Sequence, residues 1–283
     1  MEKAIKKSAW IFVLPTLAAF TIGFLIPFAQ GLYLSFCKFT TVSNAEWVGL
    51  ANYKAALTDE SFGRAMGFTV LFAVVSILLI NILAFGLAVL LTRRLRGTNL
   101  FRTVFFLPNL IGGIVLGYIW QILINNVLTL VEQPLLALNT PAGYWGLIIL
   151  MSWQQIGYMM VIYIAGLQNV PDSLIEAAEI DGASRWQTLL KVKIPMVMSS
   201  ITVCVFLTLT NSFKLFDQNL ALTGGDPNHS TEMVALNIYQ TFYFRSGMQW
   251  KGYGQAKAVV FSIVVILISL LQLRATRSKE VQQ

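Results

Sequence analysis

The sequence predicts an all-helical integral membrane protein with six transmembrane helices. Three observations carry that prediction. Of 283 residues, 56% are hydrophobic and only 12% are charged, about half the charge of an average soluble domain. The apolar residues are clustered: no charged side chain occurs from Ser8 to Cys37, or from Ala65 to Thr92. A helix needs about 20 apolar residues to cross about 30 Å of hydrocarbon, and both runs exceed that. The basic residues lie at the ends of apolar runs rather than in a patch. The net charge of +7 therefore reads as membrane topology and not as a nucleic-acid surface.

The six spans fall at about 9–36, 66–92, 103–124, 144–168, 197–216 and 255–273. The first begins like a secretory signal, with Lys3, Lys6 and Lys7 ahead of an apolar run. A signal core is only about 7–15 residues, and this run continues far beyond it. It reads as a retained span, with Pro15 and Pro27 as kinks. In the second span Asn81 reads as a packing hydrogen bond. Gly113 and Gly117 give the third a small-xxx-small pair for close helix contact. Lys257 near the outer end of the last span is expected to snorkel to the interface.

Orientation follows from lysine and arginine in the short loops. One side holds Lys3, Lys6, Lys7; Arg93, Arg94, Arg96, Arg102; Arg185, Lys191, Lys193; and Arg274, Arg277, Lys279. The other holds Lys38, Lys54, Arg64, Arg245 and Lys251. Thirteen against five makes the first side cytoplasmic, with both termini inside. The outer side then carries a long loop from about 217 to 254, whose LTGGDPNHST is rich in turn formers. His229, the single histidine, reads as a solvated loop residue, since a metal site needs several ligands. Cys37 and Cys204 fall in different apolar segments and read as small packing residues rather than a disulfide.

One polar stretch interrupts the apolar pattern on the cytoplasmic side, at residues 172–195. Asp172 or Ser173 can cap a helix, and Ser173 with Glu176 has capping-box spacing. Leu174, Ala177, Ala178 and Asp181 share one helical face. Gly182 permits a turn, Ala183–Lys193 restarts a helix, and Pro195 closes it before the fifth span. A helix–turn–helix held at the membrane face suits either a docking element or a plain interfacial connector.

Here the residues resemble a known family. Glu176-Ala177-Ala178, three residues, Gly182, eleven residues, then Ile194-Pro195 is similar to the cytoplasmic signature loop of ABC importer permeases. WVGLANY at 47–53, LTGGDP at 222–227 and GYGQAKAVVFSIVVILISLLQLR at 252–274 resemble the carbohydrate-uptake group of that family, which includes maltose, oligosaccharide and glycerol-phosphate permeases. The resemblance implies a single transmembrane permease domain over 1–283 with type I ABC importer architecture. It implies that Glu176, Ala177, Ala178, Asp181, Gly182, Ile194 and Pro195 couple the spans to a separate ATPase. It implies as partners a second, non-identical permease, two ATP-binding subunits and an extracytoplasmic sugar-binding protein, in a bacterial or archaeal cytoplasmic membrane.

The chain has no G-x-x-x-x-G-K-[ST] phosphate loop and no carboxylate deep in a span. It is therefore read as a non-catalytic subunit without cofactor or metal, driven by its partner. The alternative is a self-sufficient secondary carrier or channel for a small polar solute. A membrane-embedded enzyme would need a nucleophile with its base, or a metal cluster, and none assembles from these residues. For a sugar path, the fourth span offers Ser152, Trp153, Gln154, Gln155 and Tyr158, and the fifth Thr208, Asn211 and Ser212. Ser152, Gln155, Tyr158, Thr208, Asn211 and Ser212 form the candidate path set. Interhelical hydrogen bonding is the competing role for these side chains.

Overall fold

The computed structural model of the chain describes residues 13–92 and 97–277. Lys3, Lys6, Lys7, Arg93, Arg94, Arg96 and Lys279, on which the expected orientation partly rests, lie outside the described residues. Helix α1 (Val13–Leu34) leads into an antiparallel ribbon of β1 (Cys37–Lys38) and β2 (Glu46–Trp47). Next come α2 (Ala51–Thr58), α3 (Glu60–Leu91), α4 (Thr98–Phe106), α5 (Gly113–Leu130) and α6 (Thr140–Gln168). Then follow α7 (Asp172–Ile180), α8 (Arg185–Met196) and α9 (Met198–Phe213). The chain ends in α10 (Asp217–Leu222), α11 (Val234–Tyr243) and α12 (Met248–Arg277).

Among the described residues, α1, α3, α5, α6 and α12 are each long and apolar enough to cross a membrane. The pair α8 and α9, bent by 72°, makes a sixth if it counts as one span. The apolar run expected over 103–124 is not one helix. It breaks after Phe106 into a short 3-10 turn, Leu107–Leu110, and resumes at Gly113. Pro108 supplies no N–H to an α-helix there, and Gly112 is extended at ψ 140°. Hydropathy cannot register such a break, because the side chains on both sides stay apolar.

Contacts divide the chain into two compact units. The first comprises Met1–Phe62 with Ile238–Ser262. Its small core is Leu34, Cys37 and Phe39, with Ala45 and Phe242 packed against it. Asn52 of the WVGLANY stretch is buried and donates to the carbonyls of Ser35 and Cys37, each at 2.9 Å. That residue thereby pins α2 to the end of α1. Lys257 does not snorkel. It is fully buried, 2.7 Å from Asp59, and donates to Thr241 Oγ1 at 3.1 Å. The Asp59 carboxylate, the Thr241 hydroxyl and the Phe62 and Tyr253 rings give the ammonium partners inside the fold in place of water.

The second unit comprises Gly63–Asn237 with Ile263–Gln283. Its core gathers Phe72 and Ile80 of α3, Leu147, Met151, Met159 and Tyr163 of α6, and Cys204 of α9. Helices in lipid gain little from burying apolar surface, so close contact and interhelical hydrogen bonds decide their association. Gly157 of α6 lies against the Phe105 carbonyl of α4, where no side chain would fit. Gly113 and Gly117 serve the packing role expected of them, against Gln218 and Ala221 of α10. Asn81 donates to Thr208 Oγ1 at 3.2 Å and accepts from Tyr163 at 2.7 Å, tying α3, α6 and α9 together.

The segment expected as the first half of an open outer loop is instead built into this unit. Asn219, Leu222, Thr231, Glu232, Met233 and Val234 are all buried. Asn219 organises it, donating to Thr223 Oγ1 at 2.9 Å and the Thr231 carbonyl at 2.8 Å, and accepting from the Met233 N–H at 3.0 Å. His229 is largely exposed as expected, but its Nδ1 lies 3.3 Å from Glu232 Oε2.

Candidate coupling loop and polar path

The excursion between α6 and α9 is shaped by its own sequence. Pro171, extended at φ −60° and ψ 131°, precedes the first turn of α7, and Asp172 lies in that turn, where the helix dipole favours acid. The expected Ser173–Glu176 capping box does not form. The helix starts at Asp172, so Ser173 is already inside it and is not placed to cap. Glu176 and Ala177 are exposed and Ala178 is half-buried.

The turn after α7 is a Schellman motif. Ala183 N–H donates to the Ala178 carbonyl at 2.9 Å and Gly182 N–H to that of Glu179 at 3.0 Å. Gly182 holds φ +75°, a value that costs other residues energy. The second helix has its own capping box: Ser184 N–H donates to Gln187 Oε1 at 2.7 Å, and Gln187 N–H to Ser184 Oγ at 3.3 Å. The S-x-x-Q spacing was visible in the sequence and marks this helix start.

Pro195 lies within α8 and does not end it. A π-helical turn over Leu189–Lys193 widens the helix just before the proline, where an N–H donor is missing. The sharp bend comes at Val197, with φ −98° and ψ 16°. Facing outward on the excursion are Ile180, 86% exposed, Trp186, 72%, and Leu190, 58%. Glu176, Asp181, Arg185 and Lys191 on the same excursion are exposed as well, so its outward residues are apolar and charged of both signs.

The candidate path residues separate by environment. Thr208 and Ser212 are fully buried. Their hydroxyls are used within the bundle: Thr208 donates to the Cys204 carbonyl at 2.8 Å, and Ser212 to that of Thr208 at 2.7 Å. Ser152 is also buried, with no hydrogen-bond partner for its hydroxyl. Asn211 is half-buried and donates to Gln155 Oε1 at 2.9 Å, so one amide pair bridges α9 and α6. Tyr158 is half-buried, with its ring 6.5 Å from that of Phe106. Gln154 accepts from Gln218 at 2.7 Å and donates to the Ile111 carbonyl at 3.1 Å, bracing the break between α4 and α5. Among the described residues, no three His, Cys, Asp or Glu side chains gather as a metal site.

A probable starch degradation products transport system permease protein of Thermoanaerobacterium thermosulfurigenes is 43% identical, covering 96% of this chain and 95% of that protein. A multiple sugar-binding transport system permease protein of Streptococcus mutans is 31% identical, covering 96% of each. Among solved structures, a bacterial alginate ABC transporter in complex with an alginate pentasaccharide-bound periplasmic protein contains a chain that superposes with a TM-score of 0.81 at 20% identity. The match covers 98% of this chain and 97% of that one. The fold is thus that of an ABC transporter membrane subunit. Residues 97–278 match the binding-protein-dependent transport system inner membrane component, and it is to this family that the chain belongs.

Proposed function

We propose that the chain is one permease subunit of an ATP-driven importer and forms part of the path for a sugar or oligosaccharide. The observation that carries this reading is the excursion at 172–195. It is a structured helix–turn–helix between α6 and α9 that exposes Glu176, Ala177 and Trp186, on a chain with no phosphate loop. Such a surface suits a partner that supplies the energy. Two ATPase subunits, a second and different permease, and an extracytoplasmic binding protein complete the assembly in a bacterial or archaeal cytoplasmic membrane.

In this mechanism, closure of the ATPases draws the two permease excursions together, and the spans move from inward-open to outward-open. Glu176 meets a basic group on the ATPase, and the small Ala177 and Ala178 allow close approach. Gln155, Asn211 and Tyr158 offer donors, acceptors and a ring face to sugar hydroxyls and carbon faces. The sugar assignment is supported by the relatives' transport systems for starch products and multiple sugars.

The test is reconstitution of the permease pair with ATPase and binding protein in vesicles. Uptake of starch-derived oligosaccharides that requires ATP is the expected result. Uptake that persists without any ATPase would favour the self-sufficient carrier instead.

A further inference from the structure

The excursion leaves α6 and returns through α9, and its two feet touch. Gly166, near the end of α6, packs on Ser200 and Val197 at the start of α9. A β-carbon built at Gly166 would lie 3.0 Å from Ser200 Cβ and closer still to its Oγ, tighter than real packing allows. Further along, Cys204 Sγ lies 3.7 Å from the Met159 carbonyl, and Asn211 bonds to Gln155 at 2.9 Å. On α6 the contacts are Gln155, Met159 and Gly166; on α9 they are Ser200, Cys204 and Asn211. Both sets follow i, i+4, i+11, which keeps each on one helical stripe. The two helices are therefore joined along one seam, from the feet of the excursion to the amide pair about 16 Å away.

We propose that α6 and α9 act as one lever and that Gly166 is the positioning residue that closes it at its base. This rests on the importer reading above. Movement imposed on the excursion enters both helices together, because neither foot can move without the other. The Gln155–Asn211 pair at the far end then shifts as a unit instead of being sheared. A side chain at position 166 wedges the feet apart. The excursion still docks on the ATPase, since Glu176 and Trp186 are untouched, but its stroke is no longer delivered intact.

The experiment uses the assembled importer with Gly166→Ala, Gly166→Val, Ser200→Gly and the Gly166→Ala/Ser200→Gly pair. ATP hydrolysis, sugar uptake and complex yield are measured on each. The expected result is normal yield and retained hydrolysis in Gly166→Ala, with uptake per ATP reduced by about 2- to 30-fold, the range in which single residues modulate coupling between sites. Gly166→Val lowers the ratio further. In the pair, Ser200→Gly restores the ratio relative to Gly166→Ala, because the colliding side chain is gone. Normal uptake per ATP in Gly166→Val overturns the proposal. So does a pair no better than Gly166→Ala, or a parallel fall of hydrolysis and uptake. A parent complex with no ATP-dependent uptake overturns the importer reading itself, and the lever with it.

Discussion

Lys257 and Asp59 form an ion pair at 2.7 Å in which the lysine is fully buried. The pair joins α12 to the corner between α2 and α3. Tyr253 also donates to Asp59, and Lys257 lies 4.6 Å from the Tyr253 ring. Burial opposes ionisation of Asp59, but hydrogen bonds from Lys257 and Tyr253 outweigh it and hold the carboxyl at about 2, below its ordinary value of 3.8. A lowered carboxyl contributes stability above its unfolded value, and that contribution fades as pH falls toward 2.

Breaking a buried pair by removing one partner costs about 3–5 kcal/mol, and Lys257→Met should fall below that because Asp59 keeps 17% exposure. Lys257→Met and Asp59→Asn are each expected to lower the yield and melting temperature of the detergent-purified protein. The double variant should recover most of the loss, since no lone charge remains. Melting curves of the four proteins provide the check, and a double variant worse than either single one would contradict the pairing.

Glu176→Lys is expected to impair uptake without unfolding the bundle. Glu176 is exposed on α7 and makes no ion pair among the described residues. A reversed charge opposes a basic ATPase surface and costs affinity at an interface where complementarity sets partner choice. The measurement is co-purification of the ATPase with the variant, alongside transport. Full assembly together with parental uptake would remove Glu176 from the interface.

Both termini should lie in the cytoplasm. A reporter fused after Gln283 is expected to report the inside, and one inserted at the exposed Glu132, between α5 and α6, the outside. Position 132 suits insertion better than the 217–237 segment, whose Asn219 and Met233 are buried in the second unit. A C-terminal reporter on the outer side would refute the orientation drawn from Lys and Arg.

Legibility in the sequence followed the physics of each feature. The long helices were readable because hydrocarbon demands length and apolarity, and nothing else in the composition does. Gly182 was readable because a helix–turn–helix of this length needs a left-handed residue at that point. The break at Pro108–Gly112 was hidden, since a hydropathy run does not register backbone geometry. Lys257 was misread because its partner, Asp59, lies near the other end of the chain, and only the fold brings them together. The Ser173 cap did not form because α7 already starts at Asp172, after Pro171, which leaves the serine inside the helix. The buried segment around Asn219 carried no signal at all: its turn formers and polar residues look like any solvated loop until their hydrogen bonds are traced.

The candidate path set is expected to divide into residues that meet the sugar and residues that hold the walls. Thr208 accepts from Asn81 and donates within its own helix, so it is already engaged. Thr208→Val should therefore act on stability, by about 0.6 kcal/mol, the usual worth of a hydrogen bond between membrane helices. It should leave the dependence of uptake on sugar concentration unchanged. Gln155 and Tyr158 are placed differently. Gln155 is buried too and uses its oxygen for Asn211, but its amide hydrogens have no partner among the described residues, while Tyr158 is half-buried with its ring beside Phe106. Gln155→Ala and Tyr158→Ala should keep the complex assembled and raise the sugar concentration needed for half-maximal uptake. One hydrogen bond is worth about 0.5–1.5 kcal/mol net, so the shift should be about 2- to 13-fold. The comparison is uptake against sugar concentration for all three variants, with melting temperature measured in parallel. If Thr208→Val shifts the concentration curve and the other two do not, the wall and the path have been assigned the wrong way round. If Gln155→Ala disassembles the complex, the Gln155–Asn211 pair is needed for assembly and its assignment to sugar handling falls.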